Sequence, residues 1–302
     1  MTERITGKSG ATYKNWQAIS KPRAGKQTGF VFLEGVRLCA DAVASQAEVD
    51  AILLADGAGG DARKLSAQLP ESIRHYSLPD PLFASLCDTE HPQGVALICR
   101  SPVVDQPLNP PQPDGLYLIA EGIQDPGNLG TMIRTAAAFA FDGVIVTSGS
   151  VSPINSKTLR AAMGSCFHVP LLSFPDLAAV ADWLRQADLD LVAADPRGFE
   201  LHRSGIPAAT DISASDVMPT SAGWPAAAGW PAAAGLVIGN EARGLSDQAK
   251  KLCRHLVRIP MPGQAESLNA SAAAAILSYE LMLARLASRN DAIDQDERSA
   301  KE

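Results

Sequence analysis

Apolar positions in this chain follow two rhythms in turn. Short strand-like segments fall at 30–33, 51–55, 73–77 and 95–99, and stretches with helical spacing lie between them at 36–44, 62–68 and 81–86. Short strands separated by helices predict a compact α/β unit. The alternation resumes with strand-like runs at 116–120, 144–146, 189–194, 236–238 and 256–259, which predict a doubly wound parallel sheet, followed by an alanine-rich helix at 270–289. Between the two halves lies SPVVDQPLNPPQPDG, with prolines at 102, 107, 110, 111 and 113. Proline at that density stiffens a segment toward polyproline II and excludes helix and central strand. The pattern therefore predicts a basic arm at 1–28, a small domain at 29–100, a linker at 101–114, a larger domain at 115–289 and a flexible tail at 290–302. The arm shows little apolar periodicity and is expected to be dispensable for folding.

Three loops in the larger domain sit where a predicted strand hands over to a helix. They read EGIQDPGNLGTMIRT from Glu121, LVIGNEARGLS from Leu236 and IPMPGQAESLNASAAAAI from Ile259. Loops at the carboxyl ends of parallel strands are where ligands bind, because backbone groups and helix N-termini converge there. Each polar residue also has a plain structural reading. Asn128, Ser267 and Asn269 could cap helices, and Glu241 could be a first-turn acid facing a helix dipole. Arg134, set in an apolar run, either snorkels or points into a polar cleft. Three such loops in order favour a site.

The common phosphate motifs are absent from these loops. Gly122 and Gly127 have P-loop spacing, but Asn128 and Leu129 stand where lysine and a hydroxyl residue belong, and Gly127 with Gly130 supplies only half of a dinucleotide fingerprint. The expected ligand is held mainly by backbone contacts.

The three segments resemble the signature motifs of the SpoU (TrmH-like) branch of SPOUT RNA 2'-O-ribose methyltransferases. Asn128, Gly130, Arg134 and Thr135 match N-x-G-x-x-x-R-T, and Gly239, Glu241, Gly244, Leu245 and Ser246 match G-x-E-x-x-G-L-S. Residues 259–261, Ser267, Leu268, Asn269, Ser271 and Ala273 match I-P-M…S-L-N-x-S-x-A. KTLRAAMGSCFHVPL from Lys157 is similar to the segment joining the first two motifs. Residues 29–42 and TEHPQG at 89–94 resemble the start and end of the family's small RNA-binding domain. The resemblance implies a C-terminal SPOUT domain whose parallel sheet carries a deep trefoil knot, a homodimer, and S-adenosyl-L-methionine as methyl donor. By the same resemblance Arg134 addresses the ribose hydroxyl, Asn128, Ser267 and Asn269 position ribose and loops, and Glu241 braces the site. Gly239, Ile259, Met261 and Leu268 would meet the adenosyl group. Ribosomal RNA is the expected substrate, with transfer RNA second. A catalytically silent relative would have lost motif residues, yet Asn128, Arg134, Glu241, Ser267 and Asn269 are all present. An ordinary nucleotide-binding protein is disfavoured by the missing phosphate motifs.

Charge complicates the RNA reading. The chain has 302 residues and a net charge of −7, whereas phosphate contacts need Lys and Arg. Distribution matters: residues 1–40 carry seven basic residues against two acids, and residues 41–112 carry ten acids against four basic. Lys14, Lys21, Arg23, Lys26 and Arg37 are therefore the candidate RNA contacts. Five cysteines without a CxxC spacing predict neither a disulfide framework nor a zinc site, and no metal is expected. No apolar run is expected to span a membrane and the N-terminus lacks a signal-peptide core, so a cytoplasmic enzyme is expected. AGWPAA occurs twice in tandem, at 222–227 and 228–233, and is read as a low-complexity surface loop.

Overall fold

The structure, a computed structural model, describes residues 2–21, 28–200 and 230–299, with side chains to 198 in the second segment and to 290 in the third. The first domain comprises β1 (Thr2–Arg4), α1 (Ala11–Ile19), β2 (Phe30–Glu34), α2 (Val36–Ala44), β3 (Val49–Ala55), α3 (Gly60–Gln68), β4 (Arg74–Leu78), α4 (Asp80–Ala84) and β5 (Val95–Arg100). Its five strands run in the order β1-β4-β3-β5-β2. β1, β4 and β3 are parallel, and β5 is antiparallel to both of its neighbours.

The expected arm is part of this domain. β1 pairs with β4, and Arg4 forks onto Asp56 through Nη1 at 2.9 Å and Nη2 at 2.7 Å. In α1, Tyr13, Trp16 and Ile19 recur every three residues, share one helical face and are buried. Trp16 meets Tyr76 edge to face at 4.7 Å, and Tyr13 Oη donates to Leu82 O at 3.2 Å. The stripe is short and its exposed face carries Lys14, which is why the segment reads as solvated from sequence. Arg23 and Lys26 lie outside the described residues.

The second domain contains β6 (Val103–Asp105), β7 (Leu116–Ala120), α5 (Pro126–Ala138), β8 (Gly143–Thr147), α6 (Ser156–Ala162), β9 (Leu171–Phe174), α7 (Leu177–Leu184), β10 (Leu191–Glu200), β11 (Ala234–Ile238), α8 (Asp247–Leu252), β12 (His255–Arg258) and α9 (Ala270–Ser299). Its seven strands run in the order β12-β10-β11-β7-β8-β9-β6, all parallel. The strands β7, β8, β9 and β11 are buried on both faces. Leu116, Leu118 and Ala120 of β7 point into the core shared with α5 and α9, and Tyr117 and Ile119 point into the core with α7 and α8. A strand buried on both sides must be apolar at every position, which explains the uninterrupted run LYLIA.

Two further boundaries move. Residues 103–105 of the expected linker form β6, an edge strand on β9, and the proline segment is tied down by Trp183 Nε1 donating to Asn109 O at 2.8 Å. Prolines flank the strand, and an edge position tolerates them. The last helix continues to Ser299, through the first ten residues of the expected tail. Its stretch Ala270–Asn290 is long and apolar enough to cross a membrane by composition, with mean hydropathy 1.3, against the expectation from sequence. Here it is a core helix: Ala274, Leu277 and Leu281 are fully buried, and buried Arg285 donates to Asp142 Oδ2 at 2.7 Å. Residues 222–229 of the duplicated segment lie outside the described residues, while Trp230 of the second copy is half-buried against the core rather than exposed on a surface loop.

One continuous core joins the domains, with Leu33 and Cys39 in the same cluster as Leu118, Ile133 and Cys166. The approach is close enough that a Cβ at Gly164, where φ is +81°, would lie 2.5 Å from Asp41 Cβ.

Candidate methyl-transfer site

All three loops leave the same end of the sheet, because β7, β11 and β12 are parallel. The chain fills β7, β8 and β9 toward one edge and then returns to β10, β11 and β12 on the other side of β7, so the reversal puts a crevice at this end.

A hydrogen-bonded chain ties the loops together. Glu241 Oε1 accepts from Asn128 Nδ2 at 3.0 Å and from Asp125 N at 3.1 Å, and Oε2 accepts from Gln124 N at 3.1 Å. Asn128 Oδ1 accepts from Asn269 Nδ2 at 2.9 Å. Residues far apart in sequence thus fix one another's amides. Burial works against the charged form of Glu241, but the hydrogen bonds from Asn128 Nδ2 and from backbone N–H groups outweigh it, and its carboxyl is held below the ordinary value.

The capping readings resolve individually. Asp125, not Asn128, caps α5, accepting from Asn128 N at 2.8 Å; Asn128 itself is buried in the first turn. Asn269 does cap α9, its Oδ1 accepting from Ser271 N at 2.9 Å, while its Nδ2 joins the chain to Asn128. Glu241 belongs to no helix. The loop holding it is closed by Asn240, whose Oδ1 accepts from Ala242 N at 3.0 Å and Arg243 N at 2.9 Å, and by a bridge to Gly244, which has φ +67°.

Beside this chain lies a cavity of about 450 Å³. Gly239, Ile259, Met261 and Leu268 all line it, as do Glu241 and Ser267. Gly239 sits where a Cβ would meet the Gly244 backbone at 2.6 Å, so the loop folds tightly over the cavity only with glycine there. Leu268 is 39% exposed, an apolar side chain on the rim of an open pocket. Arg134 lies two turns along α5, exposed, outside the cavity, with Nη1 donating to Met163 Sδ at 3.0 Å.

Sequence reasoning missed Asp195 and Arg197. The register between β10 and β12 shifts between Ala194 and Phe199, and the bulged residues face the cavity. Asp195 is 5% exposed and accepts from Arg197 N at 2.8 Å and Arg197 Nε at 3.2 Å. Burial opposes its charge, but the Arg197 bonds prevail and its carboxyl lies below the ordinary value. The only signal was an apolar run ending in DPRG.

Of the expected RNA contacts, Lys14 and Lys21 are exposed on the first domain, and Arg37 lies on α2 facing the second.

Comparison with known proteins fits this geometry. Residues 115–279 match the model of the SpoU rRNA Methylase family, and residues 11–97 match an MRM3-like substrate binding domain. The chain is 30% identical over 268 residues to the 23S rRNA (guanosine(2553)-2'-O)-methyltransferase of Bacillus subtilis (strain 168), covering 89% of this chain and 94% of that protein. It is also 30% identical over 293 residues to the 23S rRNA (uridine(2479)-2'-O)-methyltransferase of Streptomyces viridochromogenes, covering 95% and 94%. The crystal structure of the SpoU methyltransferase AviRb from Streptomyces viridochromogenes with AdoMet superposes with a TM-score of 0.73 at 27% identity, over 92% of this chain and 98% of that one. With motifs, fold and both domains in agreement, the chain belongs to the SpoU rRNA methylase family.

Proposed function

We propose that this protein methylates a ribose 2'-hydroxyl in ribosomal RNA, using S-adenosyl-L-methionine held in the cavity beside Glu241. The observation that carries the reading is the convergence of the Asn128–Glu241–Asn269 chain on a cavity lined by Gly239, Ile259, Met261 and Leu268. The lining fits the donor: Ile238, Val257 and Ile259 give apolar walls, and tight loop backbone supplies polar contacts. When bound, the donor supplies an electrophilic methyl group on a sulfonium.

The chain's own residues do the rest. Arg134, which stays protonated, orients the ribose hydroxyl and stabilises the charge that develops on its oxygen, with an RNA phosphate beside it. Asn128 and Asn269, locked by their mutual bond, set the position of the ribose edge. Ser267 offers a hydroxyl from the cavity rim, and Glu241 holds Asn128 and the loop at 124–125 in place. Holding the reacting groups in line supplies much of the rate. Ribosomal RNA is favoured because the two relatives named above act on 23S rRNA and a substrate-binding domain precedes the site.

The same reading includes a deep trefoil knot and a homodimer. It includes transfer without a metal and a cytoplasmic setting, which five free thiols suit. Mapping ribose methylation in ribosomal and transfer RNA of a deletion strain tests the substrate; a 2'-O-methyl missing only from transfer RNA would overturn the choice. Chelator added to the purified reaction should leave methyl transfer unchanged, and its loss on chelation would rule out the metal-free mechanism.

A further inference from the structure

Between the domains lies a second open groove, of about 420 Å³, with Arg37, Asp41, His91, Gln93, Arg160 and Met163 among its lining residues. It is separate from the donor cavity, and no residue lines both.

Its donors are idle. Arg160 Nη1 is buried without a hydrogen-bond partner among the described residues. A buried guanidinium N–H without an acceptor is a group that a ligand anion would satisfy. Arg37 is exposed on the first turn of α2 and forms no ion pair among the described residues, and His91 is exposed close by. Two acids border the groove as well. Glu34 is spent on the first domain, accepting from Asp88 N at 2.9 Å and from Thr89 Oγ1. Asp41, the other acid, packs at Gly164. Spare capacity here is mostly that of hydrogen-bond donors.

The groove also has an address. Met163, at its edge, holds the Arg134 guanidinium at 3.0 Å. From Arg134 the axis of α5 leads back to Asn128, roughly 9 Å for six residues of helix. The order in space is groove, Arg134, Asn128 with Glu241, donor cavity. A strand whose target ribose reaches Arg134 must run its backbone past this point.

We propose that the interdomain groove seats the RNA backbone next to the target nucleotide, with a phosphodiester held between Arg37 and Arg160. This rests on the methyltransferase reading and adds the point at which the first domain hands the strand to the second. It also accounts for RNA binding by an acidic protein: a few placed arginines suffice where the groove sets the register.

The test uses the full-length protein, unmodified 23S rRNA transcribed in vitro, and labelled S-adenosylmethionine. Each of R37Q and R160Q should raise the KM for RNA about tenfold and flatten the salt dependence of RNA affinity by roughly 0.7–0.9 in log–log slope. Donor affinity measured by calorimetry should stay at the wild-type value, and R160K should recover part of the loss. If R160Q melts early, R37Q, altered at an exposed side chain, still decides the matter. Wild-type RNA affinity and slope in R37Q, and in R160Q where it folds, would overturn the proposal. Affinity is read without turnover, so a protein that binds RNA but transfers no methyl group would sink the methyltransferase reading while the groove is still judged by its salt slope.

Discussion

At the scale of single residues, the proposed mechanism divides the labour between Arg134 and Glu241. Arg134 is exposed, donates to Met163 Sδ and does not line the cavity, so removing it leaves the cavity intact. Arg134→Ala is expected to lower turnover at least about tenfold with donor affinity near wild type, an effect of the size seen when a positioned charge is lost. Equal loss of donor binding in calorimetry would assign it a structural role. Glu241 acts by holding others. Its carboxyl is held below the ordinary range, so the bonds it makes stabilise the fold fully above the unfolded value of about 4.3 and are lost as pH falls through the folded value. The stability difference between wild type and Glu241→Gln should therefore be constant from about pH 6 to 8 and shrink toward pH 3. A gap that widens on acidification would contradict this sign. Motif spacing makes both residues candidates, but it does not show that Asn128 is clamped between Glu241 and Asn269, on which their proposed roles rest.

At the scale of elements, α1 is the clearest case of structure overruling a sequence expectation. Three residues, Tyr13, Trp16 and Ile19, anchor it, and three apolar positions among lysines are too few to stand out from a solvated tail. Trp16 is 3% exposed, and Trp16→Ala should cost about 3–5 kcal/mol, as for other buried aromatic truncations. Chemical denaturation measures it, and a change below about 1 kcal/mol would return the segment to the status of an arm. Deleting residues 1–28 is accordingly expected to unfold the first domain. The elements read correctly are those with unbroken apolar runs, such as β7 and β11. β6 and the bulge of β10 were missed because one is three residues long and the other breaks its own periodicity at Asp195.

At the scale of the whole molecule, α9 shows which surface remains to be covered. One side packs in the core, while Ile276 is 40% exposed, Tyr279 41% and Leu286 50%, with Phe139 tilted against Tyr279 at 5.8 Å. Apolar side chains set together on one face mark an association surface, and the homodimer proposed here would use it. Leu286→Asp is expected to shift the protein toward monomer by sedimentation and to reduce methyl transfer with it. A variant that sediments as wild type would move the interface elsewhere.

The sequence by itself determined most of the element order, the three loops, and that Gly239, Ile259, Met261 and Leu268 belong together. Those features are local: they follow from apolar period, glycine placement and motif spacing within a few dozen residues. Only the tertiary structure decided that β1 and β6 belong to sheets and that α1 packs in the first core, that Asn128, Glu241 and Asn269 form one chain, that a bulge turns Asp195 into the cavity, and that Arg160 and Arg37 line one groove between the domains. Each depends on contacts between residues far apart in the chain, fixed by strand order and by the close approach at Gly164. No local pattern encodes those distances.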